Sequence, residues 1–268
     1  MNKAVFFDID GTLMNQRMEI REDTLEAIRA LREKGIKTAI ATGRAGIEFE
    51  TFRRQFGRQI EGLFDLYIYA NGGIAVYQGR EVLRKPLPPE EVDGMVQICT
   101  REGIVHGVFD DHTVRMNVES FPGYERFFSG NLAATPHVCD PQYHKSHDIF
   151  AGFMVCGWDK APLFQGFDHC VPVQGILPGG ALGWHLDFWR KDVSKAWAIA
   201  RCMEPLGTDL AHTYTFGDGY NDVEMLELAG TGVAMGNAED GVKAHADFVT
   251  AHIDEGGIAY GLRHLGLL

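Results

Sequence analysis

Two acidic side chains near the start of the sequence have the spacing of a cation site. Asp8 and Asp10 are separated by one residue and directly follow the apolar residues 5 to 7. In an extended chain, side chains two positions apart point the same way, so both carboxylates are expected to face one small volume. Carboxylates that close repel each other unless a cation lies between them, and Mg²⁺ prefers oxygen ligands of this kind. A simpler interpretation also fits, in which one Asp caps a helix and the other begins a turn at Gly11.

A second acidic motif, GDGYND, occupies residues 217 to 222. Two glycines flank Asp218, and Asn221 and Asp222 follow it closely. An apolar strand is predicted before this motif and a helix after it, which places three oxygen-bearing side chains at a strand end. A glycine-rich turn before a capped helix is the plainer alternative. A dinucleotide-binding loop is excluded, because Asp222 stands where such a loop requires its third glycine.

Two weaker motifs have the groups needed to bind an anion. Thr42 and Gly43 combine a hydroxyl with backbone N–H groups, although a Thr before a helix is often only an N-cap. Lys195 follows Ser194, a predicted helix cap, and supplies a positive charge. Lys191 is a competing candidate, and Lys195 is preferred because it comes immediately after the cap.

All four motifs lie where predicted strands and helices meet. In the first quarter of the chain, apolar runs alternate with amphipathic segments, and the same alternation returns in the last third. This pattern predicts a parallel sheet with helices on both faces, an α/β Rossmann-like doubly wound fold. The ligand crevice of such a sheet lies at the carboxyl ends of its strands, so the four motifs are expected to meet there.

The middle of the chain has a different pattern. A joint at Pro86, Pro88 and Pro89 is followed by a predicted helix and by strands that are typical of hairpins. We therefore predict an α/β core formed by residues 1 to 84 and 187 to 268, with an inserted α+β cap domain at residues 85 to 186.

The composition excludes several kinds of partner. With 25 Lys and Arg against 37 Asp and Glu, the formal net charge of −12 argues against nucleic acid, whose binding depends on basic side chains. The five cysteines are scattered without a Cys-x-x-Cys pair, which argues against disulfides or zinc and favours the reducing cytoplasm. No apolar stretch has the length of a membrane-spanning helix. We therefore predict a cytoplasmic protein with a small-molecule partner, and with neither nucleic acid nor membrane as a partner.

The motifs DIDGT, TGR, DVSK and GDGYND occur in an order that resembles the haloacid dehalogenase superfamily. The inserted segment lies between the second and third motifs, which is similar to the Cof-like branch with a type IIB cap. The resemblance implies a phosphotransferase that uses Mg²⁺. The third motif departs from the family pattern GVSKG, since Asp192 and Ala196 stand at its two glycine positions. This departure keeps Lys191 open as the alternative to Lys195.

The resemblance also implies a role for each motif. Asp8 would be the nucleophile that forms an aspartyl-phosphate, and Asp10 would be the general acid and then the general base. Mg²⁺ would be held by Asp8, the Asp10 backbone carbonyl and Asp218, with support from Asp222. The phosphoryl oxygens would be bound by four residues: Thr42, Gly43, Lys195 and Asn221.

The expected function is therefore Mg²⁺-dependent hydrolysis of small phosphomonoesters, such as sugar phosphates or similar metabolites. A phosphomutase of the same superfamily and a non-catalytic protein that binds phosphometabolites are the alternatives. Asn71, in the segment ANGG, is a candidate substrate residue because that segment is similar to one that faces the substrate in the family. The predicted cap adds His112, Arg115 and Trp184, although Trp184 alternates with apolar neighbours in a pattern that also fits a core position.

Overall fold

The computed structural model of the chain describes residues 2–122, 137–175 and 185–268. Within these residues the strands are β1 (Ala4–Phe7), β2 (Lys37–Ala41), β3 (Leu66–Tyr69), β4 (Ile74–Tyr77), β5 (Arg80–Arg84), β6 (Val105–Phe109), β7 (Val114–Met116), β8 (His137–Cys139), β9 (Ala151–Val155), β10 (Cys170–Gly175), β11 (His185–Arg190), β12 (Thr213–Gly217), β13 (Thr231–Ala234) and β14 (Phe248–Val249). The α-helices are α1 (Glu22–Glu33), α2 (Gly46–Ile60), α3 (Pro89–Glu102), α4 (Lys195–Arg201), α5 (Met203–Leu206), α6 (Val223–Leu228), α7 (Asp240–Lys243) and α8 (Gly257–His264). None of the helices in these ranges combines the length and the apolar character that a membrane crossing requires.

The chain divides into two compact units. The first contains Met1–Gly43, Phe56–Arg84 and Val193–Leu268, and the second contains Arg44–Gln55 and Lys85–Asp192. The second unit includes two stretches of the chain that lie outside the predicted cap, residues 44–55 and residues 187–192. The chain returns to the first unit at residue 193 rather than at the predicted residue 187, because β11 pairs with β9 and β10 of the second unit. Residues 44–55 also belong to the second unit, because Ala45 and Ile47 pack in one of its apolar clusters.

An eight-stranded sheet forms the frame of the first unit, in the order β14-β13-β12-β1-β2-β3-β4-β5. The strands from β14 to β3 are parallel, and β4 and β5 extend the sheet as an antiparallel hairpin. β1 lies between β12 and β2, so its carboxyl end is flanked by the ends of two parallel strands. The predicted α/β doubly wound fold is confirmed, and the antiparallel edge makes the sheet mixed.

Successive side chains of β1 point to opposite faces of the sheet, so they contribute to the apolar core on both faces. Phe6 packs in a cluster with Ile199 of α4. Phe7 stacks on Phe216 with ring centroids 5.3 Å apart, and Phe216 borders Gly261 of α8. Each of these buried rings contributes roughly 1.5–3 kcal/mol relative to an exposed one. Helices therefore cover both faces, and β1 is held as a buried central strand.

The second unit contains a six-stranded sheet in the order β10-β11-β9-β6-β7-β8. Its strands pair antiparallel, except that β7 and β8 are parallel. Helix α3 packs on this unit through Val92 and Met95, in a cluster that includes Met154 of β9. β6 and β7 form an antiparallel hairpin, the kind of strand pair predicted for the middle of the chain, whereas neither β8 nor β10 was predicted from the sequence. Both are short or interrupted by proline, so their local pattern is weak.

Candidate active site

Asp8 is the first residue after β1, and the strand determines which way its side chain points. Residues alternate along β1, so Asp8 continues the side on which Phe6 packs against α4. Lys195 is the first residue of α4, and its Nζ donates a hydrogen bond to Asp8 Oδ1 over 2.6 Å. Asp8 is only 6% exposed and Lys195 is completely buried. The apolar strand therefore presents the Asp8 carboxylate to a buried cation.

Lys195 also connects Asp8 to the motif at residues 217–222. Its Nζ donates a second hydrogen bond, again of 2.6 Å, to Asp222 Oδ1. The side chain of Ser194 accepts a hydrogen bond from the Trp197 N–H and so caps α4. Burial alone would lower the pKa of Lys195, but the carboxylates of Asp222 and Asp8 outweigh burial and raise it. Lys195 is therefore a charged counterion for two buried carboxylates.

Lys191, the competing lysine, lies elsewhere. It belongs to the second unit and is exposed. Its backbone N–H donates to the carbonyl of His169 across 2.6 Å, next to the pairing of β10 with β11. The structure thus brings Lys195 to Asp8, even though the glycines of the family pattern are missing around it.

Asp222 holds the loop that presents Asp218. Its Oδ2 accepts hydrogen bonds from the backbone N–H groups of Asp218 and Gly219, each over 2.9 Å. With Oδ1 bound to Lys195, both carboxylate oxygens of Asp222 are engaged within the protein. Asp222 is completely buried. It therefore fixes the positions of Lys195 and Asp218 relative to each other.

Asp218 is oriented by residues that follow Asp8. The hydroxyl of Thr12 donates to Asp218 Oδ1 over 2.7 Å. Gly11 has a φ of 82°, and a Cβ at this position would lie 2.1 Å from Asp218 Oδ2. A side chain at residue 11 would therefore displace Asp218. Thr12 was not predicted to have a role, although it lies within the DIDGT motif.

Three carboxylates form a group of the size that a cation requires. One oxygen from each of Asp8, Asp218 and Asp222 lies within 4.8 Å of the others. Burial raises the pKa of Asp218 to about 6, against the opposing hydrogen bond from Thr12. Burial also raises the pKa of Asp8 well above its usual value, and Lys195 only partly offsets this effect. The negative charge gathered here exceeds what one lysine balances, so these oxygen donors fit a hard divalent cation such as Mg²⁺.

Asp10 does not continue the line of β1. The strand ends at Phe7, and the chain then turns, with the Met14 N–H donating to the Ile9 carbonyl over 2.8 Å. The extended geometry expected for residues 8 to 10 is therefore wrong. Asp10 is exposed whereas Asp8 is buried, yet its charge contributes to the raised pKa of Asp8. The two carboxylates are close but have different environments, which suits two different chemical roles.

The predicted anion-binding residues lie on loops at the same edge of the sheet. A Cβ on Gly43 would be 3.1 Å from Asn221 Nδ2, so the loops after β2 and β12 are adjacent. Thr42 is 1% exposed, and its carbonyl accepts a hydrogen bond from the Asn71 N–H over 3.1 Å. Asn71 has a φ of 52°, in the left-handed region, and the backbone contact joins the loop after β3 to Thr42. Strand ends thus assemble residues from three separate motifs.

The remaining substrate candidates are in the second unit or outside the described residues. His112 is exposed, and its backbone N–H donates to Asp110 Oδ1 over 2.7 Å. The guanidinium of Arg115 stacks on the ring of Tyr143 at 4.8 Å from the ring centroid. Trp184 lies outside the described residues. A role for these three side chains in binding substrate stays a prediction.

Asn237 contacts the site and was not identified from the sequence. Its Nδ2 donates to the Gly11 carbonyl over 2.8 Å and lies 3.5 Å from Asp218 Oδ2. Asn237 follows the end of β13, a parallel strand beside β12. The rule that placed the other motifs at strand ends could therefore have found it, but an isolated Asn carries little signal by itself.

Comparison with known proteins agrees with this geometry. Residues 5–262 match the family profile described as haloacid dehalogenase-like hydrolase. YkrA of Bacillus subtilis (strain 168) is 31% identical over 274 residues, with 100% of this chain and 99% of that protein covered. A crystal structure of a protein from Geobacillus kaustophilus HTA426 has 34% identity and a TM-score of 0.89, and both chains are covered completely. The subclass IIB sugar phosphatase BT4131 has 30% identity and a TM-score of 0.83, again with complete coverage of both chains.

The family profile covers all four motifs, and the site that they form has the carboxylates and the lysine expected from the resemblance. A relative above 30% identity over the full length of both chains agrees with the profile. The chain belongs to the haloacid dehalogenase-like hydrolases, in the Cof-like branch with a type IIB cap, and is a phosphoric monoester hydrolase.

Proposed function

We propose that this enzyme hydrolyses small phosphomonoesters of the cytoplasm, with sugar phosphates or similar metabolites as substrates. The reaction requires Mg²⁺ and passes through an aspartyl-phosphate on Asp8. The observation that carries this proposal is the buried network in which Lys195 bonds both Asp8 and Asp222. The name of the subclass IIB relative, a sugar phosphatase, supports the substrate class.

In the first step, a carboxylate oxygen of Asp8 attacks phosphorus in line with the ester oxygen. The bond between Asp8 and phosphorus forms as the ester bond breaks, and Asp10 gives its proton to the departing alkoxide. In the second step, Asp10 takes a proton from water, the water oxygen attacks phosphorus, and Asp8 is released with free phosphate. The exposure of Asp10 supports this role, since it exchanges protons with substrate and water.

The other residues position the phosphoryl group and balance its charge. Asp8, Asp218 and the Asp10 carbonyl would hold Mg²⁺, with Asp222 in support, and the ion would neutralise charge on the phosphoryl oxygens when bound. Lys195 offers its charge from the buried side of Asp8. The phosphoryl oxygens would be contacted by the side chains and N–H groups of three loop residues: Thr42, Gly43 and Asn221.

The direct test is phosphate release by the purified protein. With MgCl₂ present, we expect release of inorganic phosphate from p-nitrophenyl phosphate and from members of a sugar phosphate panel, ranked by kcat/KM. Removal of the metal with EDTA is expected to reduce the rate by at least about 100-fold, and added Mg²⁺ should restore it. An unchanged rate in EDTA would contradict the metal requirement. Isomerised sugar phosphate without free phosphate would instead indicate a phosphomutase.

Gly11→Ala is expected to disable the site by geometry alone. The new Cβ would lie 2.1 Å from Asp218 Oδ2, so Asp218 must move away from Thr12. Because small misplacements of catalytic groups are costly, we expect kcat/KM to fall by about 100-fold.

Gly35→Ala is the matched control for this prediction. Gly35 has a φ of 73°, and no atom within 4 Å would meet its Cβ, so this substitution adds only backbone strain. We expect the control to lose about 1–2 kcal/mol of folding stability and to keep its kcat/KM. A similar kinetic loss in both variants would show that strain, rather than the contact with Asp218, is responsible.

A further inference from the structure

Asn237 has both ends of its amide fixed by partners on different loops. Its Oδ1 accepts a hydrogen bond from the Ile253 N–H over 3.0 Å. This bond determines the orientation of the amide, so Nδ2 must face the other way, toward the Gly11 carbonyl at 2.8 Å. A reversed amide would place oxygen against the carbonyl oxygen and nitrogen against the N–H. The Asn237 amide therefore connects the backbone of residue 253 to the loop that follows Asp8, and it can do so in one orientation only.

The loop that anchors Asn237 is itself attached to the segment after the first motif. Asp254 Oδ1 accepts hydrogen bonds from Asn15 Nδ2 over 2.8 Å and from Arg17 Nη2 over 3.1 Å. Arg21 Nη1 donates to the Asp254 carbonyl over 2.7 Å. Asp254 is thus hydrogen-bonded to the segment that follows the first motif. Asn237 in turn links the neighbouring residue Ile253 to Gly11.

Each oxygen of the Asp218 carboxylate has a polar neighbour from another loop. Thr12 donates to Oδ1 over 2.7 Å, while Asn237 Nδ2 lies 3.5 Å from Oδ2. The distance between Asn237 Nδ2 and Asp218 Oδ2 is too long for a strong hydrogen bond. The partial positive charge on the Asn237 amide N–H nevertheless favours one orientation of the Asp218 carboxylate. Groups that orient a metal-binding carboxylate without touching the metal often determine the affinity of the site.

We propose that Asn237 is a positioning residue that sets the orientation of Asp218 and the distance from Gly11 to Asp218, and thereby the affinity for Mg²⁺. This inference rests on the proposed function, because it assigns Asp218 to the metal. Asn237 would act through Gly11 and Asp218, which are the groups that its Nδ2 faces, rather than as a ligand of the metal. Its loss should therefore weaken Mg²⁺ binding more than it lowers turnover at saturating Mg²⁺.

The test uses MgCl₂ alone as the probe and thermal unfolding as the readout. In Asn237→Ala, the Mg²⁺ concentration that gives half of the full thermal shift is expected to rise about 10-fold. The Mg²⁺ concentration for half-maximal phosphate release should rise equally, while kcat at saturating Mg²⁺ stays within about threefold of the wild-type value. An unchanged or lower Mg²⁺ midpoint would overturn the proposal.

Asn117→Ala is the matched control. Asn117 is also half-buried, and its amide likewise accepts from a backbone N–H, that of His106, and donates to a backbone carbonyl, that of Ile104. It lies in the second unit, so its loss should lower the unfolding temperature without changing the Mg²⁺ midpoint. A raised midpoint in this control would show that lost stability alone produces the effect, and the proposal would fall.

Asn237→Asp keeps the test decisive if the alanine variant does not fold. The aspartate retains an acceptor for the Ile253 N–H but replaces the donor that faces Gly11. We expect a raised Mg²⁺ midpoint, because the new carboxylate repels the Gly11 carbonyl and the Asp218 carboxylate that the amide donor had faced. A wild-type or lower midpoint would overturn the proposal. If the wild-type protein itself shows no Mg²⁺-dependent shift and no phosphate release, the proposed function fails together with this inference.

Discussion

Asp8→Asn is expected to reduce phosphate release by at least about 10³-fold, because an amide cannot form the covalent intermediate. The substitution is nearly isosteric, and it removes a carboxylate whose pKa is raised by burial. The variant should therefore fold normally, with an unfolding temperature close to that of the wild-type protein. The rate is measured with p-nitrophenyl phosphate at saturating Mg²⁺, and thermal unfolding controls for misfolding.

Asp10→Asn is the informative companion to Asp8→Asn. The p-nitrophenolate leaving group needs no proton, so Asp10→Asn should still transfer phosphate to Asp8 but should release it slowly. A burst of p-nitrophenol and a phosphorylated peptide containing residue 8 after rapid acid quench are expected in this variant. A full rate in Asp8→Asn, or phosphate attached to another residue, would remove Asp8 as the nucleophile.

Lys195→Met is expected to cost about 3–5 kcal/mol of folding stability, because it leaves two buried carboxylates without their common cation. Asp8 and Asp222 each accept a 2.6 Å hydrogen bond from Nζ, and Lys195 has no exposed surface through which water could replace it. Phosphate release should fall by at least about 10³-fold, since charge opposite the phosphoryl group is lost as well. Chemical denaturation at neutral pH measures the stability loss.

Two further variants test the electrostatic cause of this loss. Lys191→Met removes the competing lysine, which is exposed, and should change stability by no more than about 0.5 kcal/mol. The double variant Lys195→Met/Asp8→Asn should be more stable than Lys195→Met alone, because one of the uncompensated charges is removed with its partner. If the double variant is the less stable of the two, charge imbalance is not the reason for the loss.

Much of the site was predictable because its motifs are local and occupy equivalent places in the fold. Parallel strands end at one edge of a sheet, so residues after β1, β2 and β12 must lie near one another whatever their sequence separation. Asp8 and Asp218 therefore lie at the same edge. The order of the strands does not set the direction of each side chain, and the turn after Phe7 leaves Asp10 exposed whereas Asp8 is buried.

The α/β fold class follows from the sequence, which also predicts an insertion in the middle of the chain and a site at the strand ends. These properties depend on alternation of apolar residues and on short motifs, which are local. By contrast, tertiary structure sets which side chains of the site become partners. It selected Lys195 over Lys191 by a contact with Asp8 across 187 positions, and it added Thr12 and Asn237 through contacts with Asp218. Such contacts depend on the packing of distant loops, which residue spacing along the chain does not encode.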